Sequence, residues 1–279
     1  MTLRRTCSAM IFIALIFASL FVAKLGLVLY LIVIVFALLG TYEYFSLTSL
    51  AGFRPKWALG LLLTIVILAD SILTRGSNLP FIIIAALAVV VTGHLIQYSY
   101  TNLMQTTAVT MFGPLYVALP LGLGMMILRF SPFGKAMIVL LVVVVWATDS
   151  SAYLIGRELG RTKLALRLSP KKTVEGAIGG ALTAIIAAVL LKHIAASLFG
   201  FLSLQMLLAL SVGLTIAAQV GDLAESGFKR AAGAKDSGYS FTGHGGVLDI
   251  IDSLLFAVPI LYLYMLIVHP FGHPPHVFF

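Results

Sequence analysis

Apolar residues run in long blocks along this chain, separated by short clusters of glycine, proline and charge. Blocks of about 17–25 residues are long enough to cross the hydrocarbon core of a membrane as helices. Nine are legible, at roughly 6–23, 26–47, 57–74, 79–98, 107–128, 135–155, 174–197, 203–221 and 247–268. Turn chemistry fills the breaks, as at Gly52, Arg54, Pro55 and Lys56, or at Arg129, Ser131, Pro132 and Gly134. Only Lys24, Leu25 and Gly26 separate the first block from the second, and Arg4–Arg5 ahead of an apolar run also resembles a signal peptide. Apolar sequence resumes at once without a cleavage signal, so a retained first helix is expected. The pattern predicts an all-α integral membrane protein, a bundle of about nine transmembrane helices.

Composition agrees. Hydrophobic residues make up 61% and charged residues 10%, with a mean hydropathy of +1.09. A soluble domain is about 45–50% apolar and about 25% charged, which removes water-soluble α/β enzymes from consideration. The formal charge of +8 is best read as topology and attraction to anionic lipid, not nucleic acid. With the N-terminus inside, 13 of the 18 lysines and arginines fall on the inner face and 5 on the outer. The positive-inside rule therefore predicts a cytoplasmic N-terminus, an external C-terminus and cytoplasmic loops at 156–173 and 222–246. A multi-pass protein of a bacterial inner membrane is expected, with its active site on the cytoplasmic face. Eight of the ten acids lie from Asp149 onward. The chain thus divides into N-terminal scaffold helices, 1–134, and C-terminal catalytic helices, 135–279. The single cysteine, Cys7, cannot form an internal disulfide and reads as apolar filler.

Charge in such a chain is costly and points to function. Asp222, Glu225 and Ser226 stand at i, i+3 and i+4 at the end of the eighth block, on one helix face. Asp249 and Asp252 repeat the i, i+3 spacing at the start of the ninth. Carboxylates gathered closely repel one another unless a cation separates them. Mg²⁺ suits them, because it takes one or two carboxylates and completes its shell with phosphate and water. Asp222, Asp249, Glu225 and Asp252 are the expected metal ligands. Helix capping and salt bridging to Lys229 and Arg230 is the bland alternative, which two such pairs beside a glycine-rich basic loop outweigh. In Gly243-His244-Gly245-Gly246 the glycines allow close backbone approach to an anion. The positive end of the following helix favours phosphate as well. His244 is a candidate donor to a phosphate oxygen or leaving group, and a turn-capping role is the alternative.

The order Ser169-Pro170-Lys171-Lys172-Thr173, followed by Glu175, places two ammonium groups and two hydroxyls just before a helix. That set suits a triphosphate. Topology alone accounts for Arg157, Arg161 and Arg167. His269, His273 and His276 are interrupted by prolines and lack helical ligand spacing. Tyr42-Glu43-Tyr44 reads as an interfacial aromatic anchor with a helix-end acid.

Segments 221–253 and 149–180 resemble the CTP:phosphatidate cytidylyltransferases, the CDP-diacylglycerol synthases. That family's signature runs Ser-x-x-Lys-Arg, four residues, Lys-Asp, then Pro-x-His-Gly-Gly and Asp-Arg-x-Asp. Ser226, Lys229, Arg230, Lys235, Asp236, His244, Gly245, Gly246, Asp249 and Asp252 stand in register with it. Gly221–Ser226 and Ser169–Gly176 match further elements, so about sixty residues carry the likeness. Thr242 stands where the family usually has proline, and Ile250 where it usually has arginine. The isoleucine removes a cation beside the acidic pair, so catalysis is expected to survive with a weaker hold on one anionic substrate.

The resemblance implies transfer of CMP from CTP to phosphatidic acid within the bilayer, giving CDP-diacylglycerol and pyrophosphate. It implies catalytic roles for Asp222, Asp249, Asp252, His244 and Lys229. Phosphate binding falls to Ser169, Lys171, Lys172, Thr173, Glu175, Ser226, Arg230, Lys235, Asp236, Gly245 and Gly246. Mg²⁺ is the implied cofactor, and a second, monovalent cation is suggested beside it. Nucleic acid is not an expected partner; a homodimer is left open. The rival enzyme is a CTP-dependent lipid-alcohol kinase of polyprenol or phytol type. An ion-coupled transporter would instead place its acids near mid-membrane on broken helices, and no internal repeat supports one.

Overall fold

The computed structural model describes residues 26–96, 102–130, 132–238 and 245–268. Helices dominate: α1 (Gly26–Leu50), α2 (Trp57–Leu73), α3 (Leu79–Ile96), α4 (Leu103–Ile127), α5 (Gly134–Leu159), α6 (Val174–Ile194), a one-turn α7 (Ala196–Phe199), α8 (Leu204–Ala231) and α9 (Leu248–Val268). Seven are long and apolar enough to cross a membrane, and α2 is a shorter apolar helix of 17 residues. This is an all-α integral membrane protein. The expected first span, 6–23, lies outside the described residues. The other eight predicted spans each coincide with a helix.

Two boundaries differ from the expectation. Helix α8 continues ten residues past 221, to Ala231, so Asp222, Glu225, Ser226, Lys229 and Arg230 ride on helix and not in a loop. Their charges are compensated along and beside the helix, as Glu225 is by Lys229 one turn on, so hydropathy alone ends the helix too early. Between α5 and α6 the expected loop contains a small antiparallel hairpin, β1 (Lys163–Ala165) with β2 (Ser169–Thr173). Lys163 pairs with Thr173 and Ala165 with Ser169, with a bulge between.

The described residues form two compact units, one within 1–125 and 231–250, the other within 126–230 and 251–279. In the first, Phe45 is fully buried and lies against two glycines. A Cβ on Gly113 would come within 2.8 Å of its ring, and one on Gly60 would collide with it. Tyr44, Trp57, Phe112 and Tyr116 complete an aromatic cluster with centroid spacings of 5.5–6.1 Å. Thr41 and Thr64 share a buried hydroxyl hydrogen bond of 3.1 Å. Helix α3 exposes Phe81, Ile84, Leu87, Val89, Leu95 and Ile96, as a lipid-facing span should.

In the second unit α5 and α6 meet along a seam of small residues. A Cβ on Gly176 would lie 2.6 Å from the Ala152 carbonyl oxygen, and one on Gly180 2.8 Å from that of Thr148. Lipid offers no hydrophobic drive for helix pairing, so close backbone approach and interhelical hydrogen bonds carry it. Thr148 bonds Thr215 at 3.3 Å, and the Gln219 amide donates to the Ala177 carbonyl at 3.2 Å.

Gly180→Val should therefore cost several kcal/mol, beyond the roughly 1–3 kcal/mol of ordinary overpacking, because its clash is with backbone. Gly93 has nothing within 4 Å of its would-be Cβ, so Gly93→Ala should be neutral or stabilise by about 0.4–1 kcal/mol. Thermal unfolding of the two variants in detergent checks this; equal midpoints would dismiss the seam as a determinant of stability.

Candidate active site

A cleft of about 600 Å³ opens in the second unit, where α5, the hairpin, α6 and α8 contribute walls. Its acids are Asp149 and Asp222, and its bases are Arg157, Lys163, Lys171 and Lys172. Asp149 sits mid-helix on α5, Asp222 near the end of α8 and Lys172 on β2. Lys172 forms an ion pair with Asp222. Asp252, on α9 and nearly buried, interacts electrostatically with Asp222, Asp149 and Lys172. The Ser253 N–H donates to the Asp252 carboxylate at 2.5 Å. Helix α8 approaches α9 closely here, since a Cβ on Gly221 would lie 2.5 Å from the Asp252 carbonyl oxygen. Lys172 is thus ion-paired with Asp222, and the charges of Asp149 and Asp252 bear on the same pair.

Local structure explains the Ser-Pro-Lys-Lys-Thr-x-Glu-Gly order. Ser169 to Thr173 form β2, whose Lys171 and Lys172 reach the cleft. Thr173 is the N-cap of α6, accepting from the Gly176 N–H at 3.1 Å. Glu175 accepts from the Arg161 and Thr162 N–H groups, each at 3.1 Å, and closes the base of the hairpin. Gly176 lets α6 approach α5. Thr173 and Glu175, expected to bind substrate, therefore have architectural partners, and Thr173 lines the cleft together with Lys171 and Lys172.

On α8, Glu225 is fully buried and ion-paired with Lys229, and Ser226 is buried near it in sequence. The Arg230 guanidinium donates from Nε to the Leu168 carbonyl at 3.2 Å, tying the hairpin turn to α8. Sequence reading places Asp149 at the end of an apolar span within the segment that carries the family likeness but gives it no role, and it does not select Arg157, Lys163 or Gln219 for the site. Asp149 carried a usable signal: it is an acid placed well inside an apolar helix.

In the first unit the turn before α9 is built around two carboxylates. Asp249 Oδ2 accepts from the Gly246 N–H at 2.6 Å, and from the Ser237 N–H and hydroxyl at 3.2 and 2.9 Å. Glu43 accepts from the Val247 and Leu248 N–H groups at 2.8 and 2.7 Å. These N–H groups were expected to cradle phosphate; internal carboxylates take them instead. Gly245 has φ +107°, a conformation that favours glycine. Glu43 is thus not a helix-end acid: it is buried within α1. Lys235 and Asp236 are exposed just ahead of buried Ser237, and Ile250 is 42% exposed. His244, Thr242 and the three C-terminal histidines lie outside the described residues.

The donor set can be tested against Mg²⁺. Among the described residues no three His, Cys, Asp or Glu side chains form a ready-made metal cluster. Mg²⁺ does not require one, since one or two carboxylates suffice when phosphate and water supply the rest. The oxygen-only set of Asp149, Asp222 and Asp252, with lysines alongside, fits such an ion.

A phosphatidate cytidylyltransferase of Brucella suis biovar 1 (strain 1330) is 47% identical over 148 residues, 53% of this chain and 53% of its own length. One of Bacillus subtilis (strain 168) is 42% identical over 130 residues, 47% of each chain. One of Haemophilus influenzae is 45% identical over 127 residues, covering 45% of this chain and 44% of that one. The chain spans about half the length of the curated relatives it matches. The sequence model of the cytidylyltransferase family matches far more, residues 3–268, and on that extent the chain belongs to the cytidylyltransferase family.

Proposed function

We propose that this protein transfers CMP from CTP to phosphatidic acid, releasing pyrophosphate and leaving CDP-diacylglycerol in the membrane. The observation that carries the reading is the cleft of the second unit, where Asp149 and the Lys172–Asp222 ion pair stand with Lys163 and Lys171 of the hairpin. The relatives named phosphatidate cytidylyltransferase supply the substrate pair.

In this reaction a phosphate oxygen of the lipid attacks the α-phosphorus of CTP. A new P–O bond forms, the bond from the α-phosphorus to the bridging oxygen breaks, and pyrophosphate leaves with its electron pair. Two anions must meet, so the protein's task is neutralisation and alignment, with no need of a covalent intermediate. Lys171 and Lys172, carried on a strand fixed at both ends, would hold triphosphate oxygens in the cleft, with Lys163 beside them. Asp222, Asp252 and Asp149 would hold Mg²⁺ in the second unit; Asp249 is a further candidate through the family motif. When bound, that ion supplies positive charge at the phosphates. Substrate would draw Lys172 partly away from Asp222, exchanging one counter-charge for another. His244, Ser226, Arg230, Lys235, Asp236, Gly245 and Gly246 are carried as supporting residues by the motif.

The chain is a multi-pass membrane protein, and we place the cleft on the cytoplasmic side of a bacterial inner membrane. The 13-to-5 bias of basic residues supports that orientation. It lets CTP enter from water while the lipid keeps its acyl chains in the bilayer.

Purified protein given CTP, phosphatidate and Mg²⁺ in mixed micelles should yield CDP-diacylglycerol and pyrophosphate. Release of CDP with a phosphorylated lipid alcohol would establish the kinase reading instead. Asp222→Asn should lower turnover by about 10²-fold or more while the protein still inserts, and chelation of Mg²⁺ should silence the wild type.

Orientation has its own check. Arg167 is exposed at the hairpin turn, so Arg167→Cys in a Cys7→Ser background should react with an impermeant maleimide only from the cytoplasmic side. Labelling of intact cells from outside would reverse the topology.

A further inference from the structure

Glu43 lies far from the signature motif in sequence, yet its carboxylate is buried against the start of α9. A carboxylate at that depth is costly unless hydrogen-bonded. Val247 and Leu248 provide two donors, and the Ser237 hydroxyl points at Glu43 Oε2 from 3.1 Å. The two N–H groups open α9, where no intrahelical acceptor exists for them. The same Ser237 hydroxyl is 2.9 Å from Asp249 Oδ2. One hydroxyl, with a single proton, is therefore shared between two carboxylates. Gly238 and Gly246 leave the room: a Cβ on Gly238 would lie 2.8 Å from Glu43 Oε1, and one on Gly246 would collide with Glu43 and Ser237.

A local Ser, Thr or Asp cap would satisfy these N–H groups as well. Using a side chain from α1 does something more, because it fixes the turn 245–249 to a helix remote in sequence. The turn's one long polar side chain, Asp249, is then held from both sides, by Gly246 on its own turn and by Ser237 backed by Glu43.

We propose that Glu43 is a positioning residue for catalysis, holding the 245–249 turn so that Asp249 is presented in a single orientation. The proposal rests on the reading that the turn and Asp249 belong to the cytidylyl-transfer site.

Glu43→Gln keeps the shape but replaces one acceptor oxygen with an amino group, which cannot accept from Val247 or Leu248. Amide exchange in the peptide spanning 245–250, read by mass spectrometry, should rise in this variant. Turnover per folded molecule should fall about ten- to a hundred-fold, while KM for CTP stays within about twofold, as expected when alignment and not binding is lost. Asp70→Asn serves as the control: Asp70 is a buried acid of the same unit whose partners include Thr74 and Asn78, and both readouts should stay at wild-type values. Faster exchange with unchanged turnover would reduce Glu43 to a cap, and unchanged exchange would remove it from the turn altogether; either overturns the proposal. Should Glu43→Gln fail to accumulate, Ser237→Ala carries the test. It leaves Glu43 its backbone donors, and it must lower kcat with KM held, or the proposal falls. Wild-type protein that transfers no CMP, found before any variant is compared, is a separate result: it sinks the function reading and the catalytic role with it, while the exchange data still report on the cap.

Discussion

Charge carried into apolar surroundings must bring its own compensation, and that constraint organises both units of this protein. Isolated ions in low dielectric cost many kcal/mol, and losing one partner of a buried pair is strongly destabilising. The buried acids have partners: Glu225 has Lys229, Asp252 the Ser253 N–H, Asp70 the Thr74 hydroxyl and Asn78 amide, and Glu43 the opening N–H groups of α9. Half-buried Asp222 has Lys172. The pairs differ in what they permit. Glu225–Lys229 closes within one helix turn and is almost wholly buried, which suits a fixed strut. Lys172–Asp222 joins a hairpin to a helix, keeps 25% and 33% of its side-chain surface accessible and borders the cleft. Only the second kind can exchange partners with an incoming anion.

The spans were legible because hydropathy integrates over about twenty residues, and eight predicted blocks coincide with helices. What failed was local. Hydropathy ended α8 at 221, since it counts Asp222, Glu225, Lys229 and Arg230 as charges and does not see their partners: Glu225 and Lys229 pair with each other, and Asp222 pairs with Lys172 of the hairpin. The hairpin at 163–173 went unseen for a different reason. Its strands have three and five residues, too short for any alternation to show, and lysine-rich sequence there is also what topology demands.

The candidate site was legible in part. Spacing on a helix identified Asp222 and Asp252, and clustering identified Lys171 and Lys172. Spacing could not separate Asp249 from Asp252, although an i, i+3 pair is rotated by about 60° around a helix of 3.6 residues per turn. That rotation suffices for different company: Asp252 interacts with Asp149 and Asp222, and Asp249 receives the turn's own donors. Glu43 was beyond reach. Its partners lie about 200 residues away, and no pattern within α1 announces a contact made at that distance.

The glycines of the turn show how one residue type serves two arguments that sequence cannot separate. Glycine admits close approach, but composition does not say of what. A phosphate and a carboxylate are both planar or tetrahedral arrays of anionic oxygen seeking N–H donors, so a loop shaped for one is shaped for the other. Here the described donors of the turn, Gly246, Val247 and Leu248, are taken by Asp249 and Glu43. With its opening amides occupied, α9 offers little further attraction to an anion, because the capping carboxylates offset the positive end of the helix. On the proposed function, phosphate would be held by side-chain cations, for which the hairpin lysines of the second unit are the candidates. The strand that carries them is tied at two ends, by Glu175 at its base and Arg230 at its turn, which gives those ammonium groups a fixed frame.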